Sequence, residues 1–436
     1  MERTIFKELE QWKENKKRKV LLVRGARQVG KTYLIRQLGK SFKYFLEVNF
    51  ESEPEVKTFF EGNLDPHEIS TKLAAYYGIP VTEGETLLFF DEVQSCIPAI
   101  QSLRFFYEKR PGLHLVAAGS LLEFALQQIP SFGVGRIRSL FLYPLSFNEF
   151  LNAANQKGLL EIKKSAAPNK PLDDAFHRNL IEWFRKFIII GGMPEAIKTF
   201  LETGDFLKTQ NILDDIVISL EDDFTKYKDR INTSRLKDVF LSAINQSGGK
   251  FNVSSSSGSG NQQQKKDALE MLVMAGLCYR VYHSSANGIP LAAEKNHKKF
   301  KVLFFDTGIA LRYLKLNIAN FLMADNINNI NKGNIAEQFV GLELIKYLFS
   351  ASKPELYYWH REKSGSSAEI DYLAELNNQI LPVEVKSGTQ GKMQSMKIFL
   401  NNKKPPYGIR ISMENFSQYQ KIKVCPVYAV DSLVNV

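Results

Sequence analysis

A chain of 436 residues is too long for one ordinary hydrophobic core, and 44% hydrophobic with 24% charged residues is the composition of a water-soluble globular protein of several domains. The formal net charge of +10 favours an anionic partner such as nucleic acid without naming one. Cys96, Cys278 and Cys425 stand far apart in no metal-binding spacing and read as reduced core thiols. No apolar run approaches the roughly 20 residues needed to cross a bilayer, and the mixed charges of Met1 to Lys19 are not those of a secretory leader. The expectation is a cytoplasmic protein with no membrane partner.

In chain order, Glu2 to Glu14 reads as a helix, and the basic run Lys16 to Lys19 leads into four apolar, β-favouring residues, Val20 to Val23. These run straight into Gly25-Ala26-Arg27-Gln28-Val29-Gly30-Lys31-Thr32, and Leu34, Ile35 and Leu38 mark a helix beyond it. The glycines let backbone N–H groups turn inward around a phosphate with no Cβ in the way. The helix start adds unpaired N–H groups and the positive end of its dipole. Gly25 through Tyr33 is thus the expected nucleotide-binding run, with Lys31 reaching the β- and γ-phosphates and the Thr32 hydroxyl ligating Mg²⁺.

Tyr44 to Phe50 is a plausible second strand. Leu87-Leu-Phe-Phe-Asp91-Glu92 then has the form of a buried central parallel strand whose C-terminal end meets a ligand. Asp91 is expected in the Mg²⁺ shell, and Glu92 is expected to orient and deprotonate the attacking water. Leu113 to Ser120 is the next apolar strand, and Ser120 reads either as a γ-phosphate contact or as a simple turn serine. Arg136 and Arg138 follow in a glycine-rich loop. Either arginine would stabilise transition-state charge, in cis or from a neighbouring subunit of a homo-oligomer; a solvated loop arginine is the competing reading.

Gly25 to Thr32, Asp91-Glu92 with Gln94, Gly119-Ser120, Tyr143-Pro-Leu-Ser-Phe-Asn-Glu-Phe150 and Gly191-Gly-Met-Pro-Glu195 together resemble a prokaryotic family. Its members join an AAA-type ATPase domain to a C-terminal domain of unknown function. The resemblance implies a P-loop α/β fold binding ATP and Mg²⁺, with Lys31, Thr32, Asp91 and Glu92 as the residues that carry over directly.

Asn152 to Thr203 reads mainly helical, broken at Ala166–Pro171 and at Gly191-Gly192, which suits a helical lid. Helix patterns at Leu236–Asn245 and Lys265–Ala275, then strand patterns at Leu277–Tyr282 and Lys301–Phe305, outline a winged helix. Lys295, Lys298, Lys299 and Lys301 would cluster at its wing and contact phosphates of DNA. Ser254 to Gly260 and the glutamines after it are low-complexity, however, so an interdomain spacer is the alternative.

Asp325 to Asn334 reads as a linker. The helix Ile335–Phe349, strands at Leu356–His360, Glu369–Glu375 and Gln379–Lys386 (the last two joined across Asn377-Asn378), a helix near Gln394–Leu400 and strands near Tyr407–Ile411 and Pro426–Val430 follow. This is the α-β-β-β-α-β order of restriction-endonuclease-like folds. Residues two apart on a strand share a face, so Glu384 and Lys386 point the same way and Asp371 sits across from Glu384. The arrangement resembles the PD-(D/E)xK nucleases, without their proline. It implies Asp371 and Glu384 as metal ligands, Glu337 completing the shell, and Lys386 assisting the water or steadying the phosphorane. A salt-bridged strand face on a fold kept only for docking nucleic acid or protein is the competing reading.

The expected architecture is therefore α/β throughout. It places a P-loop AAA-type ATPase core at 1–150, a helical lid at 151–205, a winged-helix-like module at 206–308 and a restriction-endonuclease-like domain at 309–436.

Overall fold

The computed structural model describes residues 1–129, 135–227, 231–254, 260–316, 335–361, 368–388 and 393–433. Chain contacts group into two units: Met1–Tyr143 with Met274–Gly276 and Phe349–Lys353, and Pro144–Val273 with Leu277–Leu348 and Pro354–Val436. The expected linker Asp325–Asn334 and most of the serine-rich run lie outside the described residues.

In the first unit the apolar runs become β1 (Val20–Arg24), β2 (Tyr44–Asn49), β3 (Thr86–Asp91), β4 (His114–Ala118) and β5 (Ile137–Phe141). They form one sheet in the order β2-β3-β4-β1-β5, every pair parallel. Strands β3 and β4 are buried along their whole length, as unbroken apolar sequence between helical layers requires. The expected helix after the glycine loop forms at Lys31–Gly39 and buries Leu34, Ile35 and Leu38. On one face of the sheet Phe50, Phe60, Phe90 and Phe106 pack edge to face, with ring centroids 5.3–6.0 Å apart. Placing β4 between β1 and β3 puts the segments that follow all three strands at one edge of the sheet, where open parallel sheets bind ligands.

The second unit opens with a helix at Phe147–Ala153, whose start carries a reciprocal cap between Ser146 and Glu149. Helices at Lys157–Lys164, Asp174–Ile190, Pro194–Thr203 and Phe206–Asp223 follow, in keeping with the helical reading of this stretch. Phe147, Phe150, Phe184, Phe187 and Phe339 form an aromatic cluster within the unit. The helices expected at Leu236–Asn245 and Lys265–Ala275 form as Thr233–Asn245 and Gln262–Met274.

The unit's sheet contains β6 (Cys278–Ser284), β7 (Lys295–Phe304), β8 (Leu356–His360), β9 (Glu369–Leu376), β10 (Gln379–Val385), β11 (Gly408–Ser412), β12 (Ser417–Tyr419) and β13 (Ile422–Pro426). Its order is β12-β13-β11-β10-β9-β8-β6-β7. The order from the helix Ile335–Leu348 through β8, β9, β10 and the helix Gln394–Lys403 to β11 matches the reading of the tail. Asn377 and Asn378, both at positive φ, make the tight β9–β10 turn that an Asn-Asn pair favours.

One arrangement differs from the sequence reading. Strands β6 and β7, expected as the wing of a separate module, are the edge pair of this same sheet, with β6 pairing parallel to β8. The expected division at 308/309 therefore runs through a continuous sheet. Lys298 and Lys299 on β7 are exposed, but Lys301 is turned inward and buried, so it is not a wing contact. Strand pairing is a long-range choice that helix and strand order along the chain leaves open.

Candidate nucleotide site and carboxylate centre

The loop after β1 is built from backbone conformations that its sequence permits. Gly25 has φ +145°, and a Cβ there would stand 2.1 Å from the Leu142 carbonyl oxygen. Gly30, at φ +95°, precedes the first residue of the helix Lys31–Gly39. Arg3, buried, donates from Nη1 to the Val29 carbonyl at 3.0 Å and from Nη2 to the Tyr143 carbonyl at 2.6 Å, anchoring the loop from behind. Nothing in the local sequence signals that role, because Arg3 lies 26 residues from its partner.

Lys31 folds back over the loop and donates to the carbonyls of Gly25 (3.1 Å) and Ala26 (2.8 Å). Burial pushes its ammonium down to about 8, partly offset by the nearby Glu92 and Asp91 carboxylates. The Thr32 hydroxyl donates to Asp91 Oδ2 at 2.8 Å, and Asp91 Oδ1 accepts from the Glu92 N–H at 3.0 Å. Burial raises the Asp91 carboxyl above its ordinary range, and the Thr32 hydrogen bond opposes that shift. A hydroxyl and a carboxylate in contact beside a phosphate loop are the hard oxygen donors that Mg²⁺ takes, so the donor set fits Mg·ATP.

Glu92 sits at φ +48°, immediately past the end of β3. Its Oε2 accepts from Gln94 Nε2 at 2.6 Å. Gln94 is in turn seated against Gly119, where a Cβ would stand 2.0 Å from Gln94 Oε1. Ser120 follows at the end of β4, whose neighbours in register are Val23 of β1 opposite Ala118 and Phe90 of β3 opposite Ala117. Lys31, Thr32, Asp91, Glu92 and Ser120 thus gather at one edge of the sheet. Arg27 and Gln28 lie in the loop itself, Ala26 and Val29 are buried beneath it, and Tyr33 is half exposed on the helix.

Arg136 and Arg138 are not brought to that edge. Ile137 pairs with Val20, at the start of β1, whereas the phosphate loop follows the end of β1. Arg136 pairs with Glu108, and Arg138 with Glu8 at 3.2 Å.

In the second unit, Asp371 Oδ2 accepts from the Val385 N–H at 2.8 Å, which fixes it beside Glu384 as strand geometry predicts. Lys386 Nζ pairs with Glu384 Oε1 at 2.7 Å. Glu337, in the first turn of the helix Ile335–Leu348, joins them. Three residues that sequence reasoning did not place here, Lys301, Lys250 and Glu369, complete the centre. Lys301 Nζ lies 2.7 Å from Glu369 Oε1, 3.2 Å from Glu337 Oε2 and 3.3 Å from Asp371 Oδ1. Lys250 holds the other Glu369 oxygen at 2.6 Å. The surrounding carboxylates hold Lys301 well above the usual lysine range despite its burial. Burial, with Asp371 adding to it, pushes Glu337 up to about 8. Among the described residues, no group of three or more His, Cys, Asp or Glu is placed to hold a metal ion. No helix among them is long and apolar enough to cross a membrane.

Comparison with known proteins gives matches over separate stretches. A family model described as an AAA domain matches residues 17–151. Two domains of unknown function, DUF8612 and DUF4143, match residues 181–319 and 332–430. An uncharacterized protein of Methanocaldococcus jannaschii is 25% identical over 208 residues, 44% of this chain and 42% of the relative, so the match spans less than half of that protein's length. A Walker-type ATPase of Pyrococcus abyssi is 15% identical, covering 70% of this chain and 93% of that one at a TM-score of 0.44. The Orc1 protein of Aeropyrum pernix, solved in complex with DNA, is 12% identical over 74% of this chain and 92% of its own at a TM-score of 0.29. Residues 17–151 of this chain therefore form a domain of the AAA type, and the loop after β1 lies within it.

Proposed function

We propose that the chain binds ATP with Mg²⁺ at the loop after β1 and hydrolyses it, and that this turnover serves a second unit that docks nucleic acid or a partner protein. The contact between the Thr32 hydroxyl and Asp91, one residue before a carboxylate that is itself held in place, carries the reading. Backbone N–H groups of Gly25 to Thr32 and the Lys31 ammonium would cradle the β- and γ-phosphates. Thr32 and Asp91 would hold Mg²⁺, which neutralises charge on the phosphates. Glu92 takes the proton of the attacking water as the new P–O bond forms, and ADP leaves with the electron pair of the breaking bond. Ser120 is the polar group at the end of β4 that would meet the γ-phosphate. If Arg136 or Arg138 acts on that phosphate, it would have to come from another copy of the chain, because within one chain both stand by the start of β1 and not by its end.

The test is direct. Lys31→Ala is expected to abolish nucleotide binding, while Glu92→Gln keeps binding and stops turnover. Hydrolysis by Glu92→Gln at the wild-type rate would remove Glu92 from the mechanism.

For the second unit, two readings were open: nucleic-acid cleavage at Asp371, Glu384 and Lys386, or docking alone. The Lys301 ammonium among the carboxylates favours docking. The exposed Lys298 and Lys299 on β7 suit phosphate contacts. ATPase activity stimulated by DNA, with stimulation falling as salt rises, is the expected signature; Mg²⁺-dependent cleavage of DNA or RNA that is lost in Lys386→Ala would instead restore the nuclease reading.

A further inference from the structure

We infer that Lys301 is a built-in cation that takes the place of a divalent metal in the carboxylate centre of the second unit, and that removing its charge is enough to open that centre to metal. The inference depends on none of the nucleotide chemistry of the first unit. It starts from β7, where the strand turns Lys301 inward although its neighbours Lys298 and Lys299 face solvent. Its side chain is 2% exposed, and the ammonium lies 2.7–3.3 Å from oxygens of Glu369, Glu337 and Asp371. Tyr358 closes one side, its ring centroid 5.4 Å from Nζ.

A buried ammonium is retained only where hydrogen-bonded counter-charges surround it. Lys301 meets that condition by drawing in carboxylates from the helix Ile335–Leu348 and from β9, the ones that would otherwise face a metal. Lys250 on Glu369 and Lys386 on Glu384 supply two further positive charges. Four carboxyl groups thus face three ammonium groups. An added divalent ion sharing Asp371 would stand beside a fixed like charge in a site with little negative charge left over. Oxygen ligation of Mg²⁺ at about 2.0–2.1 Å also needs those carboxylates to turn away from the ammonium. As folded, the set does not fit a resident divalent cation.

The experiment uses the full chain without nucleotide and Tb³⁺ as the probe, whose luminescence the nearby Tyr358 and Tyr372 sensitise. Wild type is expected to give no saturable emission that depends on Asp371. Lys301→Met is expected to gain a site at least about 100-fold tighter, the scale of removing a like charge at ~4 Å in a partly buried setting, and adding Asp371→Asn should abolish it. Lys301→Gln, which keeps a neutral donor and nearly the same shape, serves if the methionine variant does not fold. Saturable emission in wild type that disappears with Asp371→Asn would overturn the inference, since metal would then bind with the ammonium in place. Folded Lys301 variants that bind no Tb³⁺ would overturn it equally, because something other than Lys301 would be closing the centre.

Discussion

Gly119→Ala is the sharpest probe of how Glu92, the carboxylate proposed to activate water, is held. Gly119 does not lie in the left-handed region, so alanine brings no backbone strain. Its Cβ would, however, stand 2.0 Å from Gln94 Oε1, well inside contact distance. The atom that must yield is the end of a flexible side chain, so the fold gives way cheaply, at ~1 kcal/mol or less. What is lost is the 2.6 Å hydrogen bond from Gln94 to Glu92. A hydrogen bond to a charged group is worth about 1.5–3 kcal/mol, which converts to about 10- to 150-fold in kcat if the orientation of Glu92 matters only in the transition state. Steady-state ATP hydrolysis should therefore show a fall in kcat of that size with KM little changed and the denaturation midpoint nearly preserved. Gln94→Ala should reproduce the loss, and Gly119→Ala on top of Gln94→Ala should add almost nothing, because both changes remove the same bond. Full kcat in Gly119→Ala, or strictly additive losses in the double variant, would refute the chain of contacts from Gly119 through Gln94 to Glu92.

Two pH dependences follow from burial. Lys31 holds its proton only up to about 8 in the nucleotide-free protein, against 10.5 ordinarily, and the proposed phosphate contact uses the charged form. Affinity for a fluorescent ATP analogue should be full below pH 7.5 and fall as pH rises through 8. Lys31→Arg should show no such fall, and an affinity constant to pH 10 in wild type would contradict the burial argument. His114 lies under edge-on contacts from Trp12 and Phe42 and bonds to the Lys13 carbonyl at 3.1 Å, and burial lowers it to about 4 from 6.5. It is neutral in the fold, so its contribution is complete above pH 6.5 and is lost as pH falls towards 4, where the unfolded chain takes up a proton that the fold refuses. The difference is about 3 kcal/mol at most. Urea denaturation at pH 7.5 and 4.5 should show wild type losing about 2–3 kcal/mol more than His114→Gln, whose amide keeps the bond to Lys13; equal losses would place the acid sensitivity elsewhere.

Much of the proposed nucleotide site was legible in the sequence because its chemistry is local. Strand, glycine loop and helix lie within twenty residues, and the backbone conformations of Gly25 and Gly30 follow from the absence of a side chain. Leu34, Ile35 and Leu38 are buried on the face that their spacing predicts, and the unbroken apolar run before Asp91 is a central strand. The Asn377-Asn378 turn and the opposition of Asp371 to Glu384 were readable for the same reason, since a short turn sets the register of the two strands it joins. The loop arginines were misleading as in-chain partners of the phosphates because a sequence does not say at which end of a sheet a strand begins.

Sequence by itself determined the residue types at each proposed catalytic position and the periodicity that buries one side of each element. Only the tertiary structure decided which distant groups meet: Arg3 behind the phosphate loop, Gln94 against Gly119, and Lys301 among carboxylates 36 to 70 residues further along the chain. The physical reason is that a side chain's charge is written in its own codon position, whereas the charges that surround it come from strand pairing, and β7 joined a sheet that its neighbours in sequence did not announce.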